Sequence, residues 1–379
     1  MNEVMMDNIF VECFKELEDP RVDRTKKHLL LDVIAIAICA VICGAENWEE
    51  IEDFGNAHVA WFSKFLELPN GIPSHDTFSR VFAALKPLKF QEACMKWFKQ
   101  VQTLLPETVI AIDGKTLRGS SRKNRGLKGL HVVNAWSCAN GIALGQLKVD
   151  DKSNEITAVP EILRQLEIAG AIVTLDAMGC QKENVKAIVE AQGDYIIALK
   201  GNQGKLHDLA KDSFELKDQG LNALEISTAS DEVNADHGRV ESRNIEVVDA
   251  TELQGLIDPE WQELKSLIRV NSQRIEADKT THEVRFYMSS LPYTEPAKIL
   301  RAIRSHWQVE NNLHWSLDVT FKEDQSRIRQ ENAAINYSWM RKFALGLLKR
   351  ESSFKASIRR KQRKALTSPE YLTSVIKGN

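Results

Sequence analysis

The sequence lacks the cysteine pattern of a metal knuckle or a stapled scaffold. Its six cysteines (Cys13, Cys39, Cys43, Cys94, Cys138 and Cys180) are scattered, with no CxxC pair and no close Cys/His set. A zinc finger and a disulfide framework are thereby excluded, and the cysteines read as buried thiols of a cytosolic chain. No G-x-x-x-x-G-K-[ST] loop occurs, because Gly201 to Lys205 has the wrong spacing and Leu206 follows. G-x-S-x-G and G-x-G-x-x-G are also missing, so ATP-driven P-loop, nucleophile-elbow and dinucleotide chemistries drop out. The most apolar run, Leu29 to Ala45, is shorter than the roughly 20 residues a bilayer needs and contains Asp32. It reads as a core helix, and the acidic opening MNEVMMDNIF has no secretory pattern. No membrane partner is expected.

Acid is missing too, but only locally. From Gly114 to Val149 there is none, against Lys115, Arg118, Arg122, Lys123, Arg125, Lys128 and Lys148. Residues 301–379 carry 16 basic and 7 acidic side chains, within a chain of net charge −3. Basic stretches set apart from an acidic remainder suggest a surface facing a polyanion. The run Ser357 to Ala365, SIRRKQRKA, fits either that surface or a solvated helix face.

With 379 residues, 43% of them apolar, the chain can bury a large core, and the soft prior is two or three domains. Residues 1–100 read as a helical N-terminal domain. After the break at Pro69, Asn70, Gly71 and Pro73, Ser74 is a candidate N-cap for the amphipathic segment HDTFSRVFAAL. Residues 101–379 switch to strands. Asn140-Gly141 splits two apolar runs and marks a hairpin. A helix is expected to run up to Ala169, with Pro160 tolerated only in its first turn. AIVTLDA and DYIIALK read as further strands, with ENVKAIVEAQ as the helix between them. The order β-β-β-α-β-α-β is that of an RNase H-like mixed sheet with helices on its faces. A β-rich insertion is expected at about 215–295, followed by basic C-terminal helices.

Two of these strands end in an acid, Asp113 after TVIAI and Asp176 after AIVTL. On neighbouring parallel strands both carboxylates reach the edge where open α/β sheets bind ligands. A later helix offers a third, because His306, Glu310 and His314 lie four apart, beside Ile303, Val309, Leu313 and Leu317. Three carboxylates can hold one or two hard cations, Mg²⁺ or Mn²⁺, for phosphoryl transfer. Lys115 and Arg118, close after Asp113, would then meet phosphates. The two histidines, eight apart, do not make an HExxH zinc site. Trp307 and Trp315 suit either a core or a stacking platform for an unpaired base.

The segments DPRVDRTKKHLL, VICGAENWEEIEDFG, GIPSHDTFSRVF, AIDGKTLRGS, VTLDAMGCQ, YIIALKGNQ, DHGRVESR and HWQVENNLHWSLDVTFKEDQSRIR, in this order, resemble the H-repeat-associated, Rhs-element-linked transposase-like proteins of the DDE insertion-sequence superfamily. The resemblance implies an N-terminal associated domain, an RNase H-like core and a β-rich insertion before the last acid. It places the DDE triad, as catalytic and metal-binding residues, on Asp113, Asp176 and Glu310. Relatives often carry Tyr, Arg, Glu and Lys around that acid, where this chain has Ile303, His306, Glu310 and Leu317. The implied activity is metal-dependent cleavage of element ends and strand transfer into target DNA, by a cytoplasmic protein that is a homodimer in the active complex. Expected DNA contacts are Lys115, Arg118, Arg122, Lys123, Arg125, Arg239, Arg243, His306, Arg327 and Arg329. A catalytically silent DNA-binding relic or repressor, and a host nuclease that cuts without joining, stay open as alternatives.

Overall fold

The computed structural model describes residues 4–101, 105, 109–121, 129–149, 155–221, 224–231, 234–236, 239–276, 279–330 and 332–377. Six helices come first: α1 (Val4–Phe14), α2 (Leu30–Ile42), α3 (Trp48–Ala57), α4 (Val59–Phe62), α5 (His75–Ala84) and α6 (Pro87–Val101). The Leu29–Ala45 run forms α2, whose residues from Asp32 to Ile42 are all buried. Among the described residues no helix is long and apolar enough to cross a membrane. Ser74 stands at the expected N-cap of α5, but its hydroxyl meets Thr77 Oγ1. The carboxylate of Glu52, on α3, accepts instead from the His75 N–H, so the cap comes from a neighbouring helix.

Strands then follow: β1 (Val109–Leu117), β2 (Leu130–Ser137), β3 (Ile142–Val149), β4 (Ile172–Leu175) and β5 (Asp194–Leu199). Helices α7 (Glu155–Leu163) and α8 (Lys182–Glu190) lie between β3, β4 and β5. Asn140-Gly141 makes the predicted hairpin turn, with Gly141 at a φ of +66°. Helix α7 departs from expectation. It begins at Glu155, so Pro160 lies past the first turn, and it ends at Leu163 rather than Ala169. A proline there supplies no N–H to the ladder, and the helix closes within a turn. Gly170, at a φ of +74°, returns the chain to β4.

After α9 (Gly204–Asp218) come β6 (Ile226–Ser230), β7 (Asn234–Asp236), β8 (Arg239–Asp249), β9 (Ser266–Glu276) and β10 (Lys279–Ser289). These strands extend the first sheet. The order is β3-β2-β1-β4-β5-β10-β9-β8-β6, with β7 paired to β8. β1, β4 and β5 are parallel neighbours and the other pairs are antiparallel. The first five strands follow the RNase H-like order, and β10 docks the added strands on β5.

Alternation along β1 assigns the two faces. Ile110 and Ile112 point into a core shared with α7, α8 and α9, while Ala111 points into one shared with the N-terminal helices. The closing helices are α10 (Pro296–Val309), α11 (Trp315–Val319), α12 (Ala333–Arg350), α13 (Ile358–Thr367) and α14 (Pro369–Lys377). Helix α12 is buried from Ala333 to Leu348 and packs against α2, α5, α6 and β3. The N-terminal helices thus share one apolar core with α12, α14 and the sheet.

This core contains charge. Lys115 Nζ, from β1, lies 2.5 Å from Asp318 on α11 and 3.2 Å from Glu323. Glu323 also accepts from Ser338 Oγ at 2.8 Å, and Lys342 Nζ, on α12, donates to Ser338 and Gln146. Burial raises the Glu323 carboxyl, but Lys342, Lys115 and Arg341 together hold it down at about 2. Burial lowers Lys342 to about 8 against the pull of Glu323. A carboxyl depressed from 4.5 contributes stability that is complete above that pH and is lost as pH falls toward 2. We therefore expect Glu323→Gln to lose about 3 kcal/mol at neutral pH, since Lys115 and Lys342 are left buried without their shared counter-charge. Its thermal midpoint should also fall less steeply than that of the unaltered protein between pH 4.5 and pH 2. Melting both across that range checks this.

Candidate active site

The β1–β4 register ends with Ile112 opposite Leu175, so Asp113 and Asp176 follow the last paired positions of two adjacent parallel strands. β4 ends there, but β1, expected to end at Asp113, continues to Leu117 because β2 keeps pairing with it, Asp113 standing opposite Asn134. Adjacent strands lie about 4.8 Å apart, which sets the two acids side by side at the sheet's C-terminal edge. Asp176 Oδ1 accepts from the Gly179 N–H at 3.1 Å, fixing the turn after β4. Glu310 comes from across the edge. It opens a five-residue π-helical turn, Glu310–His314, between α10 and α11, in which the Trp315 N–H donates to the Glu310 carbonyl. Such wide turns are rare and concentrate at functional sites.

The wide turn changes which face of the helix is inside. Before it, Ile299, Leu300, Ala302 and Ile303 pack on the β-sheet beside Ile172 and Ile196. Around and after it, Val309, Leu313 and Leu317 enter the core around α12. All four apolar positions expected beside the histidines are buried. The apolar spacing is compatible with an unbroken α-helix and gives no sign of the extra residue.

His314 connects two of the acids. Its Nδ1 is 3.2 Å from Glu310 Oε2 and 3.5 Å from Asp113 Oδ2. Burial and the charge of Lys115 push the imidazole below its ordinary value, while Glu310 pulls it up. His306 takes a different place. Its Nδ1 lies 2.9 Å from Thr174 Oγ1 on β4, and burial holds it down at about 4 against the charge of Asp176. At neutral pH it is an uncharged support behind Asp176, not a cation offered to phosphate.

Asp113, Asp176 and Glu310 all line one cavity of about 600 Å³ between the sheet and α10. Lys200, Lys211 and Arg285 also line it, with Glu283, and nothing in the sequence pattern singles the three cations out. Lys200 follows β5 and Lys211 lies on α9, so the pairing of β10 with β5 brings Arg285 to join them. The Arg285 guanidinium lies 4.0 Å over the exposed Trp307 indole and pairs with Glu283. Trp307 is therefore a rim residue, not core, and Trp315 is also exposed.

The expected phosphate contacts divide. Arg118 is 84% exposed and its Nε lies 3.4 Å from Asp324, while Arg327 is exposed. Lys115 is buried in the ion cluster. Arg329 donates to the Gly119 carbonyl at 2.6 Å, and Arg243 pairs with Glu241 in the sheet. Arg239 begins β8, opposite Glu276. Arg122, Lys123 and Arg125 lie outside the described residues. The turn that leads to them is tightly held: a Cβ on Gly119 would stand 2.4 Å from the Ser326 carbonyl oxygen.

Among the described residues, no three His, Cys, Asp or Glu side chains are gathered closely enough to hold a metal ion. The donor chemistry nevertheless suits a hard dication, with three carboxylates opening on one cavity. Glu310, its side chain 72% exposed, is the one with most freedom to swing, since among the described residues its carboxylate is held by His314 alone.

Residues 104–347 match the family described as Transposase DDE domain, and residues 11–98 match the one described as DDE_Tnp_1-associated. The chain is 44% identical over 359 residues to the H repeat-associated putative transposase YhhI of Escherichia coli (strain K12), covering 93% of each. It is 38% identical over 369 residues to the putative transposase YncI of Escherichia coli O157:H7, covering 95% of this chain and 92% of the other. Among solved structures, that of the piggyBac transposase synaptic complex with hairpin DNA aligns with 98% of this chain and 81% of its own, at 10% identity and a TM-score of 0.45. With two matching models and full-length relatives, this chain belongs to the DDE transposase family.

Proposed function

We propose that this transposase cuts the DNA ends of its own element and joins the freed 3′-hydroxyl to target DNA, using Asp113, Asp176 and Glu310. The observation that carries this reading is that three carboxylates, from β1, the end of β4 and the wide helical turn, line one cavity together with Lys200, Lys211 and Arg285. DDE transposases generally use divalent metal ions, and here Asp113, Asp176 and Glu310 would hold Mg²⁺ or Mn²⁺. When bound, such ions activate the attacking oxygen and stabilise the leaving one. The chain's own residues supply position and charge. His306 anchors Thr174, two residues before Asp176, while His314 would orient Glu310 toward Asp113. Lys200, Lys211 and Arg285 would meet the phosphates flanking the scissile bond, and Arg118 and Arg327 would extend that track. Arg122, Lys123 and Arg125 continue the same basic stretch in sequence. Such a protein works in the cytoplasm, and handling two element ends calls for a homodimer.

Asp113→Asn, Asp176→Asn and Glu310→Gln should each lower cleavage of supercoiled DNA carrying the element ends by more than about 10³-fold. Binding by gel shift should stay within about threefold of the unaltered protein. Loss of binding in all three would refute the division between catalytic acids and basic contacts. Chelation should stop cleavage, and either Mg²⁺ or Mn²⁺ should restore it. Linear products without joined products would instead assign a nuclease, and binding without cuts a silent relic or repressor.

Affinity for the element ends should fall with salt at a log–log slope near −0.9 per phosphate contact. Lys200→Ala and Lys211→Ala should each make that slope shallower by about one. An unchanged slope in both, measured by fluorescence anisotropy between 50 and 200 mM salt, would remove these lysines from the DNA path.

A further inference from the structure

The third carboxylate depends on a backbone form that a helix does not hold by itself. In the wide turn Glu310–His314 the chain carries a π-type ladder, and carbonyls inside it fall out of the i→i−4 register. The Asn312 carbonyl, inside this turn, accepts from Lys349 Nζ at 2.7 Å. Lys349 lies in the last turn of α12, 37 residues further along the chain, and its ammonium rests 4.9 Å over the Trp136 ring. Trp136 belongs to β2 and is paired with Ala111, two residues before Asp113. A single side chain therefore ties the turn that carries Glu310 to the strands that carry Asp113.

We propose that Lys349 is a positioning residue of the catalytic site, holding the wide turn open so that Glu310 and His314 face Asp113. The inference rests on the reading of Asp113, Asp176 and Glu310 as the metal-binding acids. Two observations support it beyond the contact. Among the described residues no carboxylate pairs with Lys349, and its burial costs enough to bring it down to about 8. A methionine would fill the same space over Trp136 without that cost, so packing alone does not account for a lysine. The second is the change of helix face across the turn. Removing one residue's worth of extra backbone would rotate α11 by about 100° relative to α10. Leu313 and Leu317 could not then stay in the α12 core while Ile299 and Ile303 stay on the sheet and Glu310 stays at the cavity.

The test compares Lys349→Met, which keeps the bulk and removes the donor, with Lys349→Arg, which keeps a cationic donor. Without metal or DNA, hydrogen exchange of peptides spanning residues 308–318 should speed up about tenfold or more in Lys349→Met and remain near normal in Lys349→Arg. In the complex with element-end DNA, Mn²⁺ binding followed by electron paramagnetic resonance should weaken about 10- to 100-fold in Lys349→Met, with DNA affinity unchanged. Unaltered exchange in the 308–318 peptides would overturn the proposal. So would parallel losses of exchange protection, DNA affinity and thermal midpoint in both variants, which would mark Lys349 as a packing residue only. If Asp113→Asn keeps full cleavage, the metal-site reading fails, and the exchange experiment still decides whether Lys349 holds the turn.

Discussion

A buried cluster of opposite charges fixes this molecule, and the site inherits its geometry from it. Lys115, on the same strand as Asp113, is gripped by Asp318 and Glu323, which come after the helical segment carrying Glu310. Glu323 is held in turn by Ser338 and faces Lys342, on the most buried helix of the protein. The strand with the first acid, the segment after the third and the central helix are thus locked through shared charges. Ion pairs in such a place are not efficient stabilisers, because desolvation offsets most of their attraction. Their value is that they tie the three segments together, because removing any one partner leaves a buried charge unpaired.

The central helix explains why the N-terminal helices are not a detachable unit. Helix α12 is buried around its whole circumference, which requires neighbours on every side. The sheet covers one side, and α2, α5 and α6 cover others. Asn336, inside α12, donates to the Phe82 and Leu85 carbonyls at the end of α5, and Tyr337 donates to the Ala45 carbonyl after α2. A chain without its first hundred residues would leave these polar groups and the apolar face of α12 uncovered. The region matched by the associated family model supplies much of the one apolar core that surrounds α12.

Local chemistry made much of the fold legible from sequence. Apolar runs marked β1 and β4, although β1 runs past its acid to Leu117 along β2, Asn140-Gly141 marked the hairpin, and the helix carrying Glu310 followed from its spacing. The features that escaped were set by distant parts of the chain. Lys115 sits in the same basic stretch as Arg118, yet one is buried and the other exposed, because only one of them faces Asp318 and Glu323 across the fold. The strands after residue 215 read as an insertion, but strand composition carries no address, and their docking on β5 depends on pairing over nearly a hundred residues. Lys200, Lys211 and Arg285 escaped for the same reason. The wide turn at Glu310 was hidden because one added residue leaves a four-residue apolar spacing intact.

The three acids are therefore unequal, and the inequality reflects how each is held. Asp113 and Asp176 leave strands whose neighbours are fixed on both sides by ladder hydrogen bonds. Asp176 is further held by the turn to Gly179 and stands just after Thr174 and Leu175, with His306 anchoring the threonine. Glu310 extends from a turn of uncommon geometry, largely exposed, with its carboxylate drawn to His314. On the proposed reading, two rigid ligands beside a movable third make a site that completes itself only when a cation offers more than His314 does. Closure would then coincide with the arrival of metal and DNA phosphate, since the imidazole, made less basic by burial and by Lys115, competes weakly for the carboxylate.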